Sequence, residues 1–207
     1  MSLRMALLAI LRVGPLSGYE LAKQFSGSVG HVWYAPDSQI YPELRRMEAG
    51  GLVAAEEQTR GERGTRRLYH VTDLGQSTFL EWMSAPLEYQ RFRDPARLRA
   101  AYLEAATPEA ARDFMHRHII EWTNELVQFE DQIRQTDELT SPMLVRRLAV
   151  TAPEDYARTR AYKRFAYEGL VSRARVEIEW AQQGLALLDR LGGEHPVIVP
   201  SPDEAAT

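Results

Sequence analysis

Apolar residues along this chain recur first at helical spacing, then briefly in short strand-like runs, then at helical spacing again over long stretches. Leu3 to Leu11 reads as a first helix, ended by Gly14-Pro15. Ser17, with Glu20 three residues later, has the signature of a capping box, so a second helix is expected from about Gly18 to Phe25. Its apolar content is Tyr19, Leu21, Ala22 and Phe25. Two glycines between Ser26 and Gly30 break it. Pro36-Asp37-Ser38 opens a third helix, with Asp37 or Ser38 as the cap. In it Ile40, Leu44 and Met47 share one face, and Ala49-Gly50-Gly51 stops it. Pro42 is placed in its first turn, where a missing N–H costs little.

The period then changes. Leu52 to Gln58 and Arg67 to Val71 are short and strand-like, separated by a polar, glycine-bearing loop from Thr59 to Arg66. Thr72-Asp73 caps a further helix that carries Leu74, Phe79, Leu80, Trp82 and Met83. Three helices followed by a hairpin is the layout of a winged helix-turn-helix, expected over residues 1–84. Residues 85–93 read as a linker.

Residues 94–192 read as helical. Asp94-Pro95 starts a short helix that runs to about Ala105. Thr107-Pro108 starts a long one, with threonine as N-cap and proline at the first position. Along it Met115, Ile119, Trp122, Leu126, Phe129 and Ile133 recur at alternating intervals of four and three, a heptad seam. A last helix is expected from near Pro153 to Leu191. One stripe of it holds Tyr167, Leu170, Ala174, Ile178, Ala181, Leu185 and Leu188. A second holds Tyr162, Phe165, Val176 and Trp180. A helix with two apolar faces packs on its own chain with one and on something else with the other, most simply a second copy of the chain. Residues 193–207, rich in proline, serine, aspartate and alanine, are expected to be disordered. The fold class expected is mainly α with a small β-hairpin: a winged helix-turn-helix followed by a helical dimerisation domain. Met115, Ile119, Trp122, Leu126, Phe129, Leu170, Ile178 and Leu185 are the candidate dimerisation residues.

Composition narrows the function. The chain has 207 residues, 44% hydrophobic and 26% charged, as in an ordinary globular protein. No apolar run is long enough to span a membrane. Met5 to Leu11 follows Arg4, but Arg12 interrupts the run and no small-residue cleavage site follows, so it reads as a core helix and not as a signal peptide. Without cysteine, disulfides and thiolate metal sites are excluded, which suits a cytoplasmic location. The net charge is −4. Residues 1–83 hold nine basic and nine acidic side chains, so any affinity for nucleic acid has to come from a local cluster.

Such a cluster is present. The third helix offers Ser38, Gln39, Tyr41, Pro42, Arg45 and Arg46 on its outer side, where polar side chains can reach base edges and phosphates. The hairpin loop adds Arg60, Arg63, Thr65, Arg66 and Arg67, opposed inside that span only by Glu62. These are the candidate DNA-binding residues, with double-stranded DNA as partner. Enzyme chemistry finds no support. His116 and His118 face different directions on a helix and make a poor metal pair. Glu56 and Glu57 point to opposite faces of a strand. No Walker motif, dinucleotide-binding glycine pattern or nucleophile elbow occurs. No cofactor or metal is expected.

The N-terminal segment resembles the PadR family of bacterial transcriptional regulators. The resemblance rests on Leu7-Leu-Ala-Ile-Leu11, Gly14-Pro-Leu-Ser-Gly-Tyr-Glu-Leu21, Ser38-Gln-Ile-Tyr-Pro-Glu-Leu-Arg-Arg-Met47, Glu48, Gly51-Leu-Val53, Arg67, Tyr69 and Val71-Thr-Asp-Leu-Gly75. It covers about 80 residues. The C-terminal part is similar, less sharply, to the helical arm of the longer subfamily through Tyr102-Leu103-Glu104 and Glu177-Ile-Glu-Trp180. The resemblance implies a homodimer that binds inverted repeats in promoters, usually as a repressor, and in some members responds to phenolic or other aromatic effectors. Trp33, Trp82, Trp122 and Trp180 are the aromatic candidates for an effector pocket, though tryptophans in a helical protein more often serve the core. A winged-helix protein-interaction module without DNA binding is the alternative, favoured by the overall acidity.

Overall fold

The computed structural model describes residues 2–59, 65–89 and 93–192. Element order is α1 (Ser2–Leu11), β1 (Leu16–Ser17), α2 (Gly18–Ser26), α3 (Asp37–Ala49), β2 (Val53–Thr59), β3 (Thr65–Val71), α4 (Asp73–Ser84), α5 (Pro95–Ala100), α6 (Pro108–Asp137), α7 (Pro142–Ala149) and α8 (Tyr156–Gly192). By contact the chain divides into two units that do not follow sequence order. The first takes Met1–Gln90 and Phe129–Leu170, the second Arg91–Gln128 and Val171–Thr207.

The first unit contains the winged helix. Ser17 accepts a hydrogen bond from the Glu20 amide, and the Glu20 carboxylate accepts in return from the Ser17 amide, so the capping box is complete. Leu7, Leu8, Leu21, Phe25, Ile40, Leu44 and Met47 come from three helices into one core and are almost fully buried. Each such side chain stabilises the fold by about 1.5–3 kcal/mol.

The expected hairpin is part of a three-stranded antiparallel sheet ordered β1-β3-β2. β2 and β3 pair from Val53 opposite Val71 to Thr59 opposite Thr65. β1, not foreseen, adds Leu16 opposite Tyr69. Two residues cannot announce a strand by alternation, and Ser17 was already spoken for as a cap. Thr65 and Arg66, expected in the loop, lie in β3 and pair with Thr59 and Gln58. The loop is shorter than its composition suggests because strand pairing tolerates polar residues on an exposed ribbon. At the end of β3, Thr72 caps α4 through the Gly75 amide and donates its hydroxyl to the Gly51 carbonyl, 2.6 Å away. A Cβ on Gly75 would sit 2.0 Å from the Leu52 carbonyl oxygen, so only glycine fits there.

A helix absent from the sequence reading, α7, also belongs to this unit. Ser141 caps it, Pro142 opens it, and Met143 joins the winged-helix core. Its start signal was readable, but eight residues hold too few turns to show a period. Tyr167 of α8 donates its hydroxyl to the Ser28 carbonyl at 2.8 Å, and the His31 ring stands edge-on to Phe129 and Tyr167. The short helix expected to reach Ala105 ends at Ala100, and a separate 3-10 turn follows at Leu103–Ala105.

In the second unit Met115 is buried beneath Gly184, where an added Cβ would meet its sulfur at 2.8 Å. Glu177 is buried and accepts from Arg97 and from His118 Nε2. Trp122 and Trp180 flank the His118 ring. Trp33 and Trp82, in the first unit, are exposed and not core. No described helix is long and apolar enough to cross a membrane. The tail from residue 193, Arg60, Arg63 and residues 90–92 of the expected linker lie outside the described residues.

Candidate nucleic-acid interface

Ile40, Leu44 and Met47 anchor α3 in the core. That leaves Ser38, Gln39, Tyr41, Arg45 and Arg46 exposed. Ser38, Tyr41, Pro42 and Arg45 fall at helical spacings of three, four and seven and share one stripe. Pro42 is not in the first turn. The helix starts at Asp37 after Pro36, so the proline sits inside the second turn, where it cannot donate to the Ser38 carbonyl. Part of the Tyr41 ring is committed to packing: a Cβ on Gly18 would lie 2.9 Å from Tyr41 Cε1. The first turn of α2 is thereby locked against the outer stripe of α3.

The arginines are not equivalent. Glu43, buried on α3, bridges Arg4 of α1 and Arg46, each at 2.8 Å. Arg66 donates to Gln58 at 3.0 Å and to Glu20 at 3.2 Å. Arg67 donates to Glu48 at the end of α3 and stacks over Tyr69. Arg45 has neither hydrogen bond nor ion pair among the described residues, and it is exposed. Solvent-accessible pairs contribute about 0–1 kcal/mol, so an approaching phosphate can replace the carboxylate on Arg66 or Arg67 at little cost, whereas the carboxylate that holds Arg46 is buried.

Sequence reasoning missed the partner carboxylates Glu20, Glu43 and Glu48. Only Glu20 carried a signal, its capping role. Its pKa lies below the usual carboxylate value because the Ser17 amide and hydroxyl donate to it, with Arg66 and Arg146 adding positive charge. Glu20 and Glu48 tie the wing strand β3 to α2 and α3, whereas Glu43 ties α3 to α1.

The candidate dimerisation residues divide. Met115 and Phe129 are buried within the protomer, whereas Ile119, Trp122, Leu126, Leu170, Ile178 and Leu185 are half-buried. The exposed apolar residues of α8 are others: Tyr156, Tyr162, Phe165, Val176, Leu187 and Leu191. Phe165, Val176 and Leu187 are spaced by eleven, three helical turns, and therefore share a face.

Residues 7–81 match the sequence profile of the Transcriptional regulator PadR-like family. Residues 7–81 are therefore similar to a PadR-like domain. Members of that family are transcriptional regulators and not enzymes. The chain is 23% identical over 193 residues to the negative transcriptional regulator PadR of Bacillus subtilis, covering 91% of this chain and 98% of that one. It is 36% identical over 91 residues to a probable transcriptional regulator of Mycobacterium tuberculosis, 44% of this chain and 48% of the relative. B. subtilis PadR in complex with operator DNA shares the fold at a TM-score of 0.71 and 22% identity, over 90% of this chain and 97% of that one. The same protein in complex with p-coumaric acid superposes at 0.65 and 23% identity, over 91% and 99%. The Vibrio cholerae virulence activator AphA matches at 0.67 and 22% identity, over 91% and 99%. The winged helix and the helical C-terminal region therefore share the fold of these solved structures.

Proposed function

We propose that this PadR-like protein is a sequence-specific DNA-binding regulator that occupies an operator as a homodimer. The observation that carries the reading is the solvent side of α3, where Ser38, Gln39 and Arg45, which is unpaired among the described residues, stand exposed on a helix to which the wing is tied. Ser38 and Gln39 suit base edges, Arg45 suits guanine or phosphate, and Tyr41, Pro42 and Arg46 line the approach. Thr65, Arg66 and Arg67, with Arg60 and Arg63 beyond the described residues, are assigned to backbone or minor-groove contact from the wing. B. subtilis PadR, crystallised with operator DNA, supports this use of the shared fold.

Residues 1–84 form the DNA-binding domain in this reading, and residues 94–192 the dimerisation domain. One winged helix makes few base contacts, and a twofold-related pair reads half-sites about 10 bp apart. Two apolar sets on the long helices supply the interface. One is the half-buried group Ile119, Trp122, Leu126, Leu170, Ile178 and Leu185. The other is the exposed face bearing Phe165, Val176 and Leu187. Repression by promoter occlusion follows the B. subtilis relative, described as a negative regulator. That relative's complex with p-coumaric acid supports a small aromatic effector here as well. A regulator of this kind acts in the cytoplasm.

Selection of bound duplexes from a random pool, followed by a gel shift, tests the reading. Enrichment of an inverted repeat supports it. A pool that converges on no sequence opposes it and favours the winged-helix interaction module.

A further inference from the structure

The start of α2 carries a side chain that the apolar pattern misplaces. By that pattern Tyr19 belongs with Leu21, Ala22 and Phe25, which are buried, yet it is 71% exposed. Lys23, one turn further along, is exposed as well. Neither the Tyr19 hydroxyl nor the Lys23 ammonium makes a hydrogen bond or ion pair among the described residues. At positions i and i+4 the two share one stripe of the helix, about 6 Å apart along its axis. A single exposed tyrosine is ordinary. What sets this one apart is what its neighbours touch.

The residues on either side of Tyr19 are each held by an element assigned to DNA. Gly18 lies so close to Tyr41 of α3 that a Cβ on it would meet Tyr41 Cε1 at 2.9 Å. Glu20 accepts from Arg66 of the wing strand at 3.2 Å. The first turn of α2 is thus bracketed by the helix and the wing. Leu21, Ala22 and Phe25 take the core side, so Tyr19 leaves that turn toward solvent. Laying α3 in a major groove, with the wing against the backbone, brings this turn up to the phosphates at the edge of the groove. The chemistry suits phosphates better than bases. A phenol is a neutral donor on a stiff ring and an ammonium is a point charge on a flexible stem. Neither has the fork that reads guanine. Glu20, the carboxylate of the same turn, is already engaged by the Ser17 amide and by Arg66.

We propose that Tyr19 and Lys23 are the residues by which α2 holds the DNA backbone. Tyr19 donates its hydroxyl to one phosphate, and Lys23 pairs with a neighbouring phosphate of the same strand. This assignment rests on the operator-binding reading and deepens it. The hold carries no sequence information; it sets the depth and angle at which α3 enters the groove.

The test titrates the full chain by fluorescence anisotropy against the selected operator and a scrambled duplex of equal length, over a range of salt. Wild type, Tyr19→Phe and Lys23→Gln are compared. Tyr19→Phe keeps the ring and is expected to weaken both duplexes by the same factor, at least about fivefold, because each subunit loses one hydrogen bond to a charged group. Its salt slope should equal that of wild type, since a neutral donor releases no counterion. Lys23→Gln should lower the slope on both duplexes by about 0.9 per subunit. Both variants should melt at the wild-type temperature, since neither side chain has a partner among the described residues. Affinity unchanged in Tyr19→Phe, or a slope unchanged in Lys23→Gln, overturns the proposal. So does a Tyr19→Phe loss confined to the operator, which would make Tyr19 a reader of bases. A wild-type chain that binds neither duplex defeats the operator-binding reading itself, and this hold with it.

Discussion

The guanidinium of Arg66 in the wing strand donates to the carboxylate of Glu20, 3.2 Å away, and that carboxylate also accepts from the Ser17 amide at the start of α2. One side chain therefore completes a helix cap and moors the wing. Glu20→Gln is expected to destabilise the protein by about 1 kcal/mol. Its folded pKa is depressed, so the stability it contributes is present above the ordinary carboxylate value of 4.5 and is lost as the pH falls through the lower folded value. Urea midpoints should differ between wild type and Glu20→Gln at pH 7. The gap should narrow below pH 4.

Gly75 tests the junction of wing and α4. An alanine Cβ would have to displace the Leu52 backbone carbonyl, which itself accepts from the Thr72 amide at 3.1 Å. Gly75→Ala should cost at least about 2 kcal/mol. The urea midpoint measures it.

Lys163 makes stability depend on pH in the alkaline range. Its folded value of about 8 lies below the unfolded value of 10.5, so between these limits the unfolded chain binds more protons. Stability should therefore rise from pH 8 toward pH 10. Tyr167, pushed up to about 12 by burial, works in the opposite sense only above pH 10. Lys163→Met should flatten the rise in melting temperature between pH 8 and 10. It should also stabilise the protein at pH 7 by up to about 3 kcal/mol.

The exposed face of α8 makes dimerisation testable without disturbing the core. Phe165 is 73% exposed, so Phe165→Glu leaves the protomer's packing intact. Sedimentation equilibrium should show at least a tenfold weaker dimer, with operator affinity falling in parallel because two half-sites are no longer read together.

Much of this was legible in the sequence. Ser17 and Glu20 announced α2, Thr72 announced α4, and Ile40, Leu44 and Met47 oriented α3, because caps and periodic apolar residues act locally. Three things were not legible. β1 is too short for a pattern, and α7 has too few turns for a period. The ion pairs Arg66–Glu20, Arg67–Glu48 and Arg4–Glu43 join residues 19 to 46 positions apart, and only the fold brings them together. They altered the electrostatics most. A charge count along the chain treats every wing arginine as available, whereas in the fold Arg66 and Arg67 start from carboxylates they must exchange. The heptad seam named Met115 and Phe129 as dimerisation positions, yet both are buried within the protomer, because periodicity cannot say whether a contact is within one chain or between two.

The central claim rests on Arg45 and its neighbours on α3. The most direct measurement is fluorescence anisotropy of the selected operator duplex over a range of salt, for wild type and Arg45→Ala. The expected result is one dimer per duplex and a logarithmic affinity that falls linearly with log salt, by about 0.9 for each phosphate neutralised. Arg45→Ala should weaken binding by about 1–3 kcal/mol if Arg45 reads a base, or lower the slope by about one if it holds a phosphate. Binding that ignores salt, or that is identical in Arg45→Ala, would contradict it.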